Sequence, residues 1–165
     1  MTVRQLRYRS GLPVTEIRKR SGEVIWSSAQ AGATWQDCDF GNAILDDIVI
    51  EGAAIALGSF AGTSLKRCDF YWLLAPCTSF VAADLEDCAF HGCGLGESDF
   101  TGAILRRTRF LRDNLGGGTD LCGANLSAAV IESADFSGAE YDDATRFPPD
   151  FDPQQHGMMK VVPRS

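Results

Sequence analysis

Cys88, His91 and Cys93 stand in the order C-x2-H-x-C, residue types and a spacing that a zinc ion could use. Carboxylates fit for acid and base work occur as Asp37 with Asp39 and as Glu97 with Asp99. Cys77 and Cys122 add two more thiols, and Gly116, Gly117 and Gly118 form a glycine run of the sort that cradles phosphate. Groups like these make a catalytic or metal centre only if the fold brings them together, so the elements that position them decide the matter.

Those elements are repeats. From Ala33 to Ala144 a bulky apolar residue returns every fifth position, from Trp35 and Phe40 through Phe110 to Leu115, with one lapse at Ala75. Six residues separate Leu115 from Leu121, which reads as a one-residue bulge at Gly116 to Gly118; Leu126, Ile131, Phe136 and Tyr141 then resume the count. Two places before most of these centres stands a small residue, such as Cys38, Ala53, Thr63, Cys68 or Ala124. Neither a helix, which repeats near 3.6, nor a strand, which alternates at 2, gives this pattern, so the chain reads as a solenoid. Sorting by twenty residues separates the side chains further. One column is Phe40, Phe60, Phe80 and Phe100, the next is Leu45, Leu65, Leu85 and Leu105, and the third is Ile50, Phe70, Phe90 and Phe110. The fourth, Trp35, Ile55, Ala75, Leu95 and Leu115, is less regular; at Ala75 the small position holds Leu73, an exchange that conserves interior volume.

SADFSGAEYDDATRF (133–147) and CGANLSAAV (122–130) carry the unit most plainly, and the pattern resembles the pentapeptide repeat family. The resemblance implies an all-β fold, a right-handed quadrilateral β-helix with four pentapeptides to a coil and both the centre and the small residue facing inward. On about 4.8 Å per coil the rod would be about 25 to 30 Å long. Three parts follow: residues 1–32 as an N-terminal β cap, 33–144 as the solenoid, and 145–165 as a C-terminal cap or dimerisation tail. The tail's Thr145, Phe147, Pro148, Phe151, Asp152, Pro153, Gly157 and Met158 resemble a closing segment that follows many such tracts. Asp152 reads as an N-cap and Gly157 as a stop for one short turn of helix, leaving Phe147, Phe151, Met158 and Met159 to close the rod or join two copies.

In that register the chemistry disperses. Cys88 and Cys93 would point inward on different faces and His91 outward, so they cannot share an ion. The glycine run lacks the lysine and helix of a phosphate loop. No metal, no cofactor and no catalytic residue is expected, and the protein reads as a non-enzyme. Cys38, Cys68, Cys88 and Cys93 serve as small hydrophobes, and a reducing cytoplasm is the simplest setting, since nothing apolar follows the basic N-terminus as a signal segment.

Of the 165 residues, 22 are acidic and 15 basic, a net charge of −7 that argues against direct nucleic-acid binding. No run of 18 apolar residues marks a membrane span. One face stacks acids and bases in alternation, Asp46 and Asp47, Lys66 and Arg67, Glu86 and Asp87, Arg106 and Arg107, and reads as a salt-bridge ladder. Another carries Tyr71, Trp72 and Leu74 with His91 and Leu111, an aromatic cluster suited to a protein partner or to cover by the chain's own ends. The expected function is therefore a scaffold whose partner is an unidentified protein or a second copy, with no long projecting loop. The resemblance implies an alternative, a DNA-mimicking protector of bacterial type II topoisomerase with DNA gyrase as partner. A small-ligand binder or enzyme ranks below both.

Overall fold

A computed structural model describes residues 39–162, together with two strands nearer the N-terminus, β1 (Thr15–Arg18) and β2 (Val24–Ser28). These two pair antiparallel, with Thr15 opposite Ser28 and Ile17 opposite Trp26. The rest of the segment 1–32 expected as an N-terminal cap, and the first rungs Trp35 and Cys38, lie outside the described residues.

From Asp39 onward the chain winds in coils. Strands β3 (Val49–Glu51), β4 (Asp69–Tyr71), β5 (Ala89–His91) and β6 (Arg109–Leu111) form one parallel sheet, each displaced from the last by twenty residues. The other sides join coil to coil through single parallel bridges, such as Asp39 to Ser59 to Ser79 to Asp99 and Ala54 to Leu74 to Gly94. The architecture is a quadrilateral β-helix. Its columns are those of the sequence: Phe40, Phe60, Phe80 and Phe100 stack with ring centroids 4.9, 5.2 and 4.8 Å apart. Phe70, Phe90, Phe110 and Phe136 stack beside them at 4.6, 5.1 and 4.8 Å. Apart from Phe40 at the first rung, these rings are almost wholly buried, and burial of such a side chain contributes roughly 1.5–3 kcal/mol.

The five positions of a unit divide the backbone hydrogen bonds among them, as Phe60 to Ser64 illustrate. The N–H groups of Phe60 and Gly62 donate to Ser79 and Val81 in the following coil, and that of Ser64 donates to Ala43 in the preceding one. Thr63 closes the corner by donating to the Phe60 carbonyl. The Ala61 N–H, which no neighbouring coil reaches, donates to Ser59 Oγ at 3.3 Å. Asp39, Asp99, Asp120, Asn125 and Asp135 accept in the same way from the N–H two residues on. Where a short polar side chain precedes the centre it thus serves the backbone, since an unpaired amide at a packed corner is costly.

The inward small residues have a second duty. Thr63, Thr78 and Thr108 donate their hydroxyls to the carbonyls of Phe40, Ile55 and Leu85 one coil below, at 2.7, 2.8 and 2.8 Å. Cys68, Cys88 and Cys93 aim their thiols likewise at Leu45, Leu65 and Phe70, and all three are free. Leu73 and Ala75 are both fully buried, so the large-for-small exchange fills the lapse in the fourth column.

The sequence register fails at one place. Gly94 pairs with Asp120, Asp99 with Asn125 and Phe110 stacks on Phe136, a displacement of 26 residues rather than twenty. Six residues are therefore inserted, not one, and Leu121 rather than Leu115 continues the column above Leu95. Leu115, expected inside, is 85% exposed, and a short loop does project. Asp113 explains the difference, because it occupies the place where an inward small residue would stand, and a carboxylate there would be buried without a cation.

The tail completes the end of the rod. Phe147 and Phe151 pack on the core and Met158 is buried, whereas Met159, expected to share that role, is 40% exposed. The Asp152 side chain accepts from the N–H groups of Gln154 and Gln155, as an N-cap does, but only a turn follows it. β7 (Glu140–Tyr141) then pairs in parallel with β8 (Met159–Lys160), so the tail adds a further rung.

Leu73→Ala is expected to destabilise the protein by about 2–5 kcal/mol in urea unfolding. Leu73→Ala with Ala75→Leu should recover most of that loss, because the column regains its volume.

Candidate functional site

On the face between the second and third columns the charges pair as their order predicts. Arg67 bonds Asp47 through two nitrogens, both at 2.7 Å; Lys66 meets Asp84 at 2.8 Å; and Arg107 meets Glu86 and Asp87 at 2.6 and 2.7 Å. Arg106 extends the ladder to Glu132 at 2.7 Å. The Arg107 guanidinium holds the carboxyls of Glu86 and Asp87 below their ordinary range. These charges are spent on one another.

The aromatic face is built differently. Tyr71, His91 and Leu111 are successive partners in the parallel sheet, and the Tyr71 and His91 rings stack at 4.4 Å. Burial keeps the His91 imidazole below its ordinary pKa, which favours the uncharged ring in the stack. Trp72 occupies a left-handed turn position, φ 50°, beside this column. Its indole Nε1–H donates to Asp113 Oδ2 at 2.9 Å. Leu74, on the next side, is exposed. The sequence-predicted cluster is thus brought together, but its Trp is engaged within the chain rather than standing free.

Asp113 is the residue that the sequence reading missed. Its Oδ1 accepts from the N–H groups of Leu115 and Gly117, both at 2.8 Å, while its own N–H donates to the Gly117 carbonyl. The Gly117 N–H, against some desolvation and with help from Trp72, holds the Asp113 carboxyl below its usual range. Arg112 ties the loop down from the other side, bonding the Gly116 carbonyl at 2.8 Å and reaching the Met159 sulfur. Gly92 is needed for this closure: a Cβ there would lie 2.7 Å from Asp113 Cβ, and its φ of 58° already favours glycine. The signal was available in the sequence, since no other inward small position between Ala43 and Ala139 holds a charged residue.

Beside the loop runs an open groove of about 800 Å³. Gly92, Gly94, Gly117 and Gly118 leave its walls without side chains, Leu74, Val161 and Val162 line it with apolar groups, and Glu97, Asp120, Glu140, Asp142 and Arg146 bring charge. Asp142 loses solvation on burial, but N–H donors from Gly123, Ala144 and Thr145 and the Thr145 hydroxyl more than offset it, and its carboxyl stays below the ordinary value.

Cys77, Cys93 and Cys122 are shifted away from the thiolate form. Burial pushes Cys93 up to about 12, and burial with the Asp120 carboxylate pushes Cys122 up to about 12 as well. Cys77 is raised by burial and by Glu97, whose carboxylate sits 3.6 Å from its sulfur. Thiols so raised are protonated at pH 7 and are weak nucleophiles and ligands. Cys88 and Cys93 are buried while His91 is half-buried on the outer surface, and no cluster of three or more metal-ligating side chains occurs among the described residues. Among the same residues no helix is long and apolar enough to cross a membrane.

Coils of twenty residues with centre and small side chains inward define a pentapeptide solenoid. Residues 78–112 and 117–140 match the pentapeptide repeats family model in eight copies, the break between them falling on the inserted loop. Those two stretches carry the repeats of that family. No curated protein matches it significantly. Among solved structures it is similar to a pentapeptide repeat protein of the Arabidopsis thaliana thylakoid lumen, at 20% identity and a TM-score of 0.48, covering 74% of this chain and 71% of that one. It is also similar to HetL, a pentapeptide repeat protein involved in heterocyst differentiation regulation in the cyanobacterium Nostoc, at 22% identity and a TM-score of 0.41, covering 73% and 61%. A third likeness is to full-length QnrB1, a plasmid-mediated fluoroquinolone resistance protein, at 16% identity and a TM-score of 0.28, covering 78% and 82%.

Asp113→Ala is expected to free the loop, raising amide exchange at Leu115 and Gly117 while the coil amides keep their protection. The wild-type anchor should respond to acid with a defined sign. Because the folded carboxyl lies below its ordinary value, its stabilising effect is full above about pH 4 and is lost as pH falls through the folded pKa. Protection factors at Leu115 and Gly117, measured from pH 7 to pH 3, check this.

Proposed function

We propose that the protein is a non-catalytic interaction module that presents the Trp72–Asp113 face, with Tyr71, Leu74, His91 and Leu111, to a protein partner. The observation that carries this reading is the loop at 112–118, whose internal hydrogen bonds hold Leu115 out at 85% exposure. A loop fixed before binding loses little freedom when it docks, and an apolar tip held in water gains by being covered. A reducing compartment such as the cytoplasm suits the reading, since Cys68 and Cys88 stand in adjacent coils as free thiols.

Leu115→Asp is expected to leave the melting temperature within about 2 °C of wild type, because the side chain touches no core. The same variant should lose the cross-links to partner that wild type forms at this face, read by mass spectrometry. Sedimentation of the pure protein, with Met159 and Leu115 variants alongside, tells whether that partner is a second copy.

A second reading, protection of a bacterial type II topoisomerase by an acidic rod, draws support from the concentration of acidic residues towards Asp120 to Asp143. If it is right, micromolar protein relieves quinolone inhibition in a gyrase supercoiling assay. An assay unchanged at that concentration removes it.

A further inference from the structure

We propose that the groove beside the 112–118 loop holds an extended basic segment of the partner, with lysine or arginine side chains set against Asp120 and Glu140. The proposal rests on the reading of this face as a docking surface and adds the chemistry of its occupant.

Charge carries the inference. On the ladder face acids and bases alternate from coil to coil. In the groove the alternation is broken, because Asp120 and Glu140 are direct partners across adjacent coils and both are acidic. Like charges so placed destabilise a sheet. Glu97 and Asp142 line the same groove, and Arg146 is the one cation among the lining residues. No lysine or arginine among the described residues forms an ion pair with Asp120 or Glu140. A cation supplied from outside would relieve the repulsion that the chain leaves standing.

Shape narrows the occupant to a chain. Gly118 sits so close to the Gly138 carbonyl that a Cβ would come within 2.5 Å of its oxygen, so this wall is kept bare. Leu74 and Val162 line the groove as exposed apolar groups, at 57% and 86% exposure. An extended segment alternates its side chains, and one with cations on one side and apolar groups on the other meets both the acidic and the apolar groups.

The test uses fluorescence anisotropy with a labelled octapeptide of alternating lysine and leucine, and a glutamate and leucine octapeptide as its counterpart. Wild-type protein should bind the lysine peptide alone, and rising salt should weaken it, since the screening length falls from about 10 Å at 0.1 M to 3 Å at 1 M. Asp120→Asn with Glu140→Gln should cut affinity about tenfold, the loss expected from about 1.4 kcal/mol. Asn at 120 keeps the oxygen that accepts the Cys122 N–H, so the coil survives. Glu132→Gln with Asp135→Asn removes the same charge elsewhere and should change nothing. Equal losses in the two double variants, equal binding of both peptides, or no binding of the lysine peptide at millimolar concentration would overturn the basic occupant. So would displacement of the peptide by calcium at constant ionic strength, which would give the groove to a divalent ion. If Leu115→Asp abolishes partner cross-links while the lysine peptide fails, the docking face stands and only its basic occupant falls.

Discussion

The structure depends on one constraint, that a chain turning a corner every five residues must find a partner for every amide it buries. In a unit such as Phe60 to Ser64, inter-coil bonds satisfy three N–H groups and the corner turn satisfies a fourth. The fifth falls to the side chain before the centre, which is why Asp, Asn or Ser recurs there. Carbonyls left beside the interior are met by threonine hydroxyls and cysteine thiols from the next coil. Hydrophobic burial supplies the drive, but the repeat has its residue types because polar backbone cannot be buried unpaired.

This division of labour explains what was legible in the sequence. Phe60 and Phe80 were placed correctly because stacked coils repeat the same environment, and Leu73 with Ala75 because only their summed volume matters. The ladder of Arg67, Glu86 and Arg107 was readable for the same reason, since an outward register is fixed once the inward one is known. The loop was not readable from period alone: Leu115 keeps the spacing of a core residue while its neighbour Asp113 breaks the chemistry of one. The Trp72 bond to Asp113 was not legible either, because the two lie 41 positions apart and no five-residue rule describes the segment that carries Asp113. The end of the tail was legible in part: Met158, just before β8, is buried, whereas Met159 within it is 40% exposed.

The face that emerges owes its character to departures from the repeat. Gly92 and Gly118 stand where side chains would block the loop, and Asp120 faces Glu140 where the ladder would have placed a base. Elsewhere the consistency of local preference with the fold is nearly complete. Departures from such consistency concentrate where a protein meets something other than itself.

The inserted segment leaves the rod at one corner and returns to the same corner, and the rungs above and below it stay in line: Phe136 lies on Phe110 at 4.8 Å, as Phe100 lies on Phe80. Architecture and excursion are thereby uncoupled. A change of length around Asn114 to Gly116 can reshape this surface while the stacked rungs keep their places, because a side chain added at Gly116 would meet nothing within 4 Å.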